Sequence, residues 1–469
     1  MCRSRIIGAV GGKLVLVAGV LVAALAPLSM RAAEPVLAGV AKVDITPEQP
    51  VRMYGYAARK TESEGIAGRL KASALALGGD EGDGPAVLLA VDCGSVPADI
   101  AAEVLRRVQA KAPLKPERFM LCNSHNHSGP NLKGMKQFTG EELEHMTRYA
   151  AQLTERLEEV VLRALKARTP AQLAHGQGSV GFAANRRVLK DGKWSGFGAV
   201  PDAPADHSLP LLRVADLQGK LLAVLVNYAC HNTTLRGNFK QIHGDWAGCA
   251  QEYVEADHPG AVCLIAIGCG ADSDPCPHST VELCQQHGRA MADEVKRLLA
   301  GPLRPISGAV TARSATLEIP YEPLPPLDEF REMAKKSYSA QPLLQGLEEG
   351  GKPPASAQYP LTTWTFGDDL AMVFLSHEVV VDYALRLKRE LDAGRLWVNA
   401  YSNDVSIYIA SNRLLNQGGY EVNNSLNFLV TYGRPERLQP PLEDRIVEQV
   451  KSLLPVTFQS RTPAGAGKW

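Results

Sequence analysis

The segment Asn123–Pro130 reads NSHNHSGP and sets His125 and His127 one residue apart, directly after an apolar run. In an extended segment, residues two apart point to the same side, so both imidazoles can reach one site. Neutral imidazole is the commonest metal ligand, and zinc favours nitrogen donors. The plain alternative is a pair of hydrogen-bonded loop histidines. Three other places set polar residues where an apolar run stops. Asn227–Thr234 (NYACHNTT) carries His231 to a strand end. Ile267–Pro277 (IGCGADSDPCP) has Gly268 and Gly270, which allow a tight turn presenting Asp272, Ser273 and Asp274. Phe374–Glu378 (FLSHE) puts Glu378 where a strand passes into a helix. Functional residues gather on such strand-end loops. Taken singly, each also reads as a satisfied core histidine or a solvated acidic turn. His243 and His287 read as core or supporting residues. The sequon Asn232-Thr233-Thr234 reads as site lining, because it adjoins His231.

The elements that must position these residues alternate between strand and helix. Ala86–Cys93, Arg118–Cys122, Val262–Gly268, Asp368–Leu375 and Leu396–Tyr401 read as strands. Leu209–Val214 and Leu221–Cys230 form a hairpin turning at Leu217–Gly219. Asp99–Lys111, Val281–Leu299, Val379–Leu391 and Leu442–Leu454 read as helices. A further helix runs to Lys166 with Met146, Tyr149, Leu153, Leu157, Val160 and Ala164 on one face; Thr139 and Glu142 ahead of it form a capping box. The Pro- and Gly-rich stretch Pro302–Pro360 reads as a surface insertion, since candidate site residues fall on both sides of it. This mixture predicts an α/β fold of mixed sheets flanked by helices.

Composition narrows the function. The chain has 469 residues, 45% hydrophobic and 21% charged, enough for a sizeable core. Residues 1–33 hold Arg3, Arg5, Lys13 and Arg31 and no acid, so the remainder carries an excess of four acids. That argues against a nucleic-acid partner, which needs a basic face. Arg3 and Arg5, the apolar run Leu14–Leu28 and the small Ala32 and Ala33 have the layout of a secretory signal peptide. Export to the periplasm or medium is therefore expected, with residues 34–460 as one catalytic domain, 461–469 as a disordered tail, and no transmembrane segment in the mature chain. The cysteines show no CxxC pair, which excludes a thiolate zinc site of the usual spacing. Most read as small buried hydrophobes; an oxidising compartment would permit one bridge among Cys269, Cys276 and Cys284.

In combination and in order, these segments resemble the catalytic domain of the neutral/alkaline (non-lysosomal) ceramidases. The resemblance opens at Gly39–Tyr56, where GVAKVDITP is followed by MYGYA. It continues through NSHNHSGP, similar to the family's Thr-His-Thr-His-Ser-Gly-Pro, through Asn185-Arg186, the NYACH strand and Gly244-Asp245. It ends at Ser402–Glu421 (SNDVSIYIASNRLLNQGGYE), where Ser402, Asn403, Tyr408, Tyr420 and Glu421 fall at the family's spacing.

That resemblance implies hydrolysis of an N-acyl amide, with a zinc-bound water attacking the acyl carbonyl. It implies His125, His231, Glu378 and Tyr408 as zinc ligands, and His127, Arg186 and Tyr420 as neighbours that hold and polarise the carbonyl. The substrate would be a small or lipid-like molecule. The chain also departs from the family. The turn read there as Gly-Asp-Val-Ser-Pro is here Ala271-Asp272-Ser273-Asp274-Pro275, so Asp274 stands where the family has its active-site serine. Asp274 is expected to act through its charge, as a base or water-orienting group, and Ser273 to point elsewhere. Asn131-Leu132-Lys133 replaces a glycine-rich loop, and the family's C-terminal β-sandwich domain is not expected. These departures favour a substrate smaller or more polar than ceramide. They leave room for an ester-cleaving zinc hydrolase, or a binding homologue without turnover.

Overall fold

The computed structural model describes residues 34–133, 135, 138–335, 341–352, 354–423 and 438–459. The expected signal peptide and C-terminal tail lie outside them. In chain order the strands are β1 (Val36–Asp44), β2 (Lys71–Leu77), β3 (Ala86–Val91), β4 (Phe119–Asn123), β5 (Thr169–Ser179), β6 (Ala183–Lys190), β7 (Lys193–Val200), β8 (Ser208–Asp216), β9 (Leu221–Tyr228), β10 (Val262–Ile267), β11 (Ser273–Pro275), β12 (Arg304–Ile306), β13 (Val310–Pro320), β14 (Ser356–Phe366), β15 (Leu370–Leu375), β16 (Glu378–Val379), β17 (Leu396–Asn399) and β18 (Tyr408–Ile409). The helices are α1 (Ala98–Gln109), α2 (Gly140–Lys166), α3 (Asp245–Asp257), α4 (Val281–Ala300), α5 (Leu327–Ala334), α6 (Gln341–Glu348), α7 (Val381–Glu390), α8 (Asn412–Gln417), α9 (Tyr420–Asn423) and α10 (Leu442–Leu453).

Two sheets stack between helical layers. The larger runs β10-β9-β8-β5-β1-β2-β3-β4, with β12 added to β5; the second runs β13-β14-β15-β17. Side-chain alternation along each strand divides the core accordingly. On β3, Leu88 and Ala90 meet Trp364, Phe366, Met372 and Phe374 of the second sheet. Val87, Leu89 and Val91 face the other way, toward Met146, Leu153, Leu157 and Val160 of α2. On β15, Met372 and Phe374 pack toward the large sheet, while Ala371, Val373 and Leu375 pack with Leu387 of α7 and Ile446 of α10. Strands covered on both faces read as unbroken apolar runs, which is why β3, β10 and β15 were legible in sequence. At the far end of the large sheet, Trp246 and Val254 of α3 and Met291 and Val295 of α4 cover Val224, Val226, Cys263 and Ile265.

This arrangement is the α/β class expected, and the β8–β9 hairpin forms with Leu212 opposite Leu225. Three local expectations need correction. Thr139 stands at the N-cap of α2 but makes no capping bond, and the Glu142 carboxylate is taken by Arg52, with Nη1 2.9 Å from Oε2. The stretch 302–360 is not only an insertion: β13 and β14 pair along their full length inside the second sheet. Finally, Cys269, Cys276 and Cys284 are free thiols, as are the other described cysteines.

Candidate metal centre

The parallel pairs β3–β4, β9–β10 and β15–β17 all end at one place. Short bridges stitch those ends together: Asn126 to Asn232, Gly268 to Asn399, and Cys122 to Ser402. His125 and His127 follow β4, His231 follows β9, the 268–274 turn follows β10, and Glu378 follows β15. Tyr408 comes from β18, where it is the register partner of Glu378 in a parallel pair, so the two side chains leave the same face.

His125 and His231 are buried, and each commits Nδ1 to a main-chain carbonyl: Gly94 O at 2.9 Å and Gly270 O at 2.8 Å. A carbonyl only accepts, so Nδ1 carries the proton, and in a neutral ring so held Nε2 presents a lone pair. Both Nε2 atoms converge on Glu378 Oε2, at 3.2 and 3.5 Å. That oxygen is buried and receives no hydrogen bond. Two imidazole nitrogens and a carboxylate oxygen facing one another so closely are donors that could hold a cation. His127 reaches the same point, its Nε2 3.2 Å from His125 Nε2. His125, His127 and His231 also form a group whose ligand atoms lie within 4.8 Å of one another. Burial first, then the neighbouring His125 and His231, holds His127 well below the usual histidine range. Burial and Arg186 likewise lower His231.

The two HxH histidines do share a side, but not through extended backbone. His125 has φ +53°, a left-handed conformation uncommon outside glycine. His377, Tyr401 and Asn403 are left-handed as well, at φ +70°, +53° and +59°. Strained backbone of this kind collects at functional sites. Tyr54 meets His125 and His127 edge-on at 5.6 and 5.2 Å, and Tyr401 lies 4.5 Å from the His125 ring.

Arg186, on β6, is the cation beside the centre. Its Nη1 lies 3.3 Å from His231 Nε2 and 3.3 Å from Asp274 Oδ1. Nη2 donates to Tyr408 Oη at 3.3 Å, and Nε to Glu421 Oε1 at 3.0 Å. Burial works against its charge, but Tyr408, Glu421 and Asp274 outweigh burial and keep it protonated. Its guanidinium carbon stands 5.2 Å from the Phe197 ring and 5.7 Å from the Tyr420 ring. Tyr420 in turn packs edge-on to Tyr408 at 5.5 Å.

Asp274 does reach this neighbourhood, but not as a free base. Arg236 places Nη1 and Nη2 each 3.0 Å from Oδ2. Burial alone would raise the Asp274 pKa; the guanidiniums of Arg186 and Arg236 overcome it and hold the carboxyl well below its usual range. A carboxylate so held is a poor proton acceptor. Asp272 points the other way and serves the fold, accepting from Val381 N at 2.8 Å and Asn185 Nδ2 at 3.0 Å. Burial raises it to about 6. Ser273 Oγ is buried without a hydrogen bond. His243 Nδ1 accepts from Asp245 N at 2.9 Å, and His287 stacks on Phe182 at 4.5 Å, so both support the fold. Asn232 is buried and holds Gly244 O and Ala247 N, which leaves it no room for a glycan. The reading of the sequence missed Tyr54, Tyr401 and Arg236. MYGYA held Tyr54 in plain view, but Arg236, five residues past His231, carried no signal.

Residues 36–266 match the family model for the N-terminal region of neutral/alkaline non-lysosomal ceramidase. The matched region, just under half of the chain, belongs to this ceramidase family. Among solved structures, this chain is similar to neutral ceramidase from Pseudomonas aeruginosa, at 18% identity and TM-score 0.66, over 92% of this chain and 76% of that one. A second structure, titled as ceramidase complexed with C2, aligns at 18% identity and TM-score 0.68, over 92% and 77%. At such identity the likeness speaks for the fold. Comparison with curated proteins finds no match. No helix among the described residues is long and apolar enough to cross a membrane.

Proposed function

We propose that this chain is a zinc-dependent hydrolase of an N-acyl amide, with His125, His231, Glu378 and Tyr408 as the metal's donors. The observation that carries this reading is the convergence of two imidazole lone pairs on a buried carboxylate oxygen that receives no proton. Two nitrogens with carboxylate and phenol oxygens suit zinc, which takes N and O ligands in four-coordinate sites. The match of residues 36–266 to the ceramidase family supports the amide. Zinc, when bound, supplies a Lewis acid for the acyl oxygen and lowers the pKa of its water to about 7.

The chain's own residues do the rest. Arg186 stays charged inside a buried pocket and offers N–H donors where negative charge develops on the acyl oxygen. Tyr420 packs over Arg186 and bounds the same space. His127, kept neutral by burial and its histidine neighbours, lies within reach of the centre and is placed beside Arg186 to hold the acyl carbonyl. Asp274, neutralised by Arg186 and Arg236, orients its partners and does not act as a base. The segment 1–33 is read as a cleaved export signal, which places the reaction outside the cytoplasm. The replacement of the family's serine by Asp274 favours a substrate more polar than ceramide.

A panel of long-chain ceramide, short N-acyl amides and matching esters tests this reading with zinc-loaded enzyme. Cleavage of amides with release of free amine and fatty acid is expected, with the short or polar amides preferred. Turnover confined to esters would reassign the bond; highest efficiency on long-chain ceramide would overturn the preference for a polar substrate.

A further inference from the structure

Arg186 is the middle of a chain of five alternating charges. Glu421 holds one edge of its guanidinium, with Nε 3.0 Å from Oε1, and Glu421 is itself gripped by the buried Arg187. Asp274 holds another edge at 3.3 Å, and Asp274 is gripped by both Nη atoms of Arg236 at 3.0 Å. The order is Arg187, Glu421, Arg186, Asp274, Arg236. Each carboxylate bridges two guanidiniums, so neither anion is left buried and unpaired, which would be costly. The two ends differ. Side-chain exposure is 1% for Arg187 but 27% for Arg236, so Arg236 is the accessible end. Its main chain is fixed nonetheless: Leu235 N donates to Asp245 Oδ2 at 2.7 Å, and Arg59 Nη2 donates to Arg236 O at 3.1 Å.

We propose that Arg236 is a positioning residue: by clamping Asp274 it fixes the Arg186 guanidinium against His231 and Tyr408. The proposal rests on the amide-hydrolase reading for its kinetic consequence, and on geometry alone for its structural one. Without Arg236, Asp274 keeps one strong partner, Arg186, and is free to swing with it. The planar fork of Arg236 carries two donors to one oxygen, which lysine cannot reproduce.

The test is Arg236→Gln and Arg236→Lys in the full chain, with crystal structures, zinc content, kcat and KM on a cleaved N-acyl amide. Arg236→Gln is expected to keep wild-type zinc content and a KM within about threefold while kcat falls roughly ten- to a hundredfold, the usual consequence of a misplaced catalytic group. In its crystal structure Arg186 should have left His231 and Tyr408. Arg236→Lys should recover part of kcat, and serves if the glutamine variant does not fold. Arg186 unmoved, kcat unchanged, or zinc lost in either variant would overturn the proposal. If the wild type cleaves no N-acyl amide, the amide-hydrolase reading fails, and the position of Arg186 in the variant decides this inference alone.

Discussion

His125 and His231 each spend Nδ1 on a main-chain carbonyl, and that single bond decides what the other nitrogen can do. A hydrogen-bonded histidine at a strand end is common; two whose Nε2 atoms meet at one carboxylate oxygen are not explained by packing. The residue types and places of His125, His127, His231 and Glu378 were legible because each ends an apolar run. The role of Asp274 was not, because its chemistry is set by Arg236, and nothing in the spacing ties Arg236 to residue 274. An isolated Asp274 would suit a base; between two guanidiniums it becomes an anchor. Asp274→Asn is therefore expected to retain zinc and lose roughly ten- to a hundredfold in kcat through disordering of Arg186, as read by steady-state kinetics beside metal analysis. An acid limb in the pH profile of kcat that disappears in the variant would instead make Asp274 the base.

Among the elements, close approach matters more than turn conformation. The sequence suggests that Gly268 and Gly270 serve a tight turn, yet neither takes a left-handed φ. A Cβ on Gly270 would stand 2.5 Å from Cys230 N and 2.7 Å from Ala229 C. The glycine lets the turn after β10 lie flat on the end of β9, where Gly270 O holds His231. Gly270→Ala should destabilise the fold by about 1–3 kcal/mol, the usual cost of overpacking, and weaken zinc binding. Gly248→Ala is the control, since a Cβ there meets nothing within 4 Å. Thermal unfolding with and without zinc compares the two; equal behaviour would remove the close-approach argument. Strands buried on both faces were readable as apolar runs. β6 was not, because it carries Asn185, Arg186 and Arg187 inward, and buried charges in a strand read from sequence as a surface segment.

At the scale of the whole molecule, buried neutral histidines set the acid limit of stability. His175, 3% exposed on β5, is lowered to about 4, by burial first and then by Arg304. The unfolded chain, with a histidine pKa of about 6.5, binds more protons between those values. Stability therefore falls as pH drops from about 6.5 toward 4. Between pH 7 and 5 His175 should account for roughly 2 kcal/mol of that loss. Denaturant unfolding of wild type and His175→Asn at both pH values reads it as a shallower acid decline in the variant; parallel declines would discharge His175. The sheets, meanwhile, deliver every candidate donor from a different strand end, which is why the site's parts are scattered so widely in sequence. The central claim is that these parts make a metal-dependent hydrolytic centre. The most direct test is zinc titration into chelator-treated protein while cleavage of an N-acyl amide is followed. Turnover should return in proportion to zinc, reach its plateau at one equivalent, and stay absent in His231→Ala. Turnover in the chelated protein, or its full return in the variant, would contradict the account.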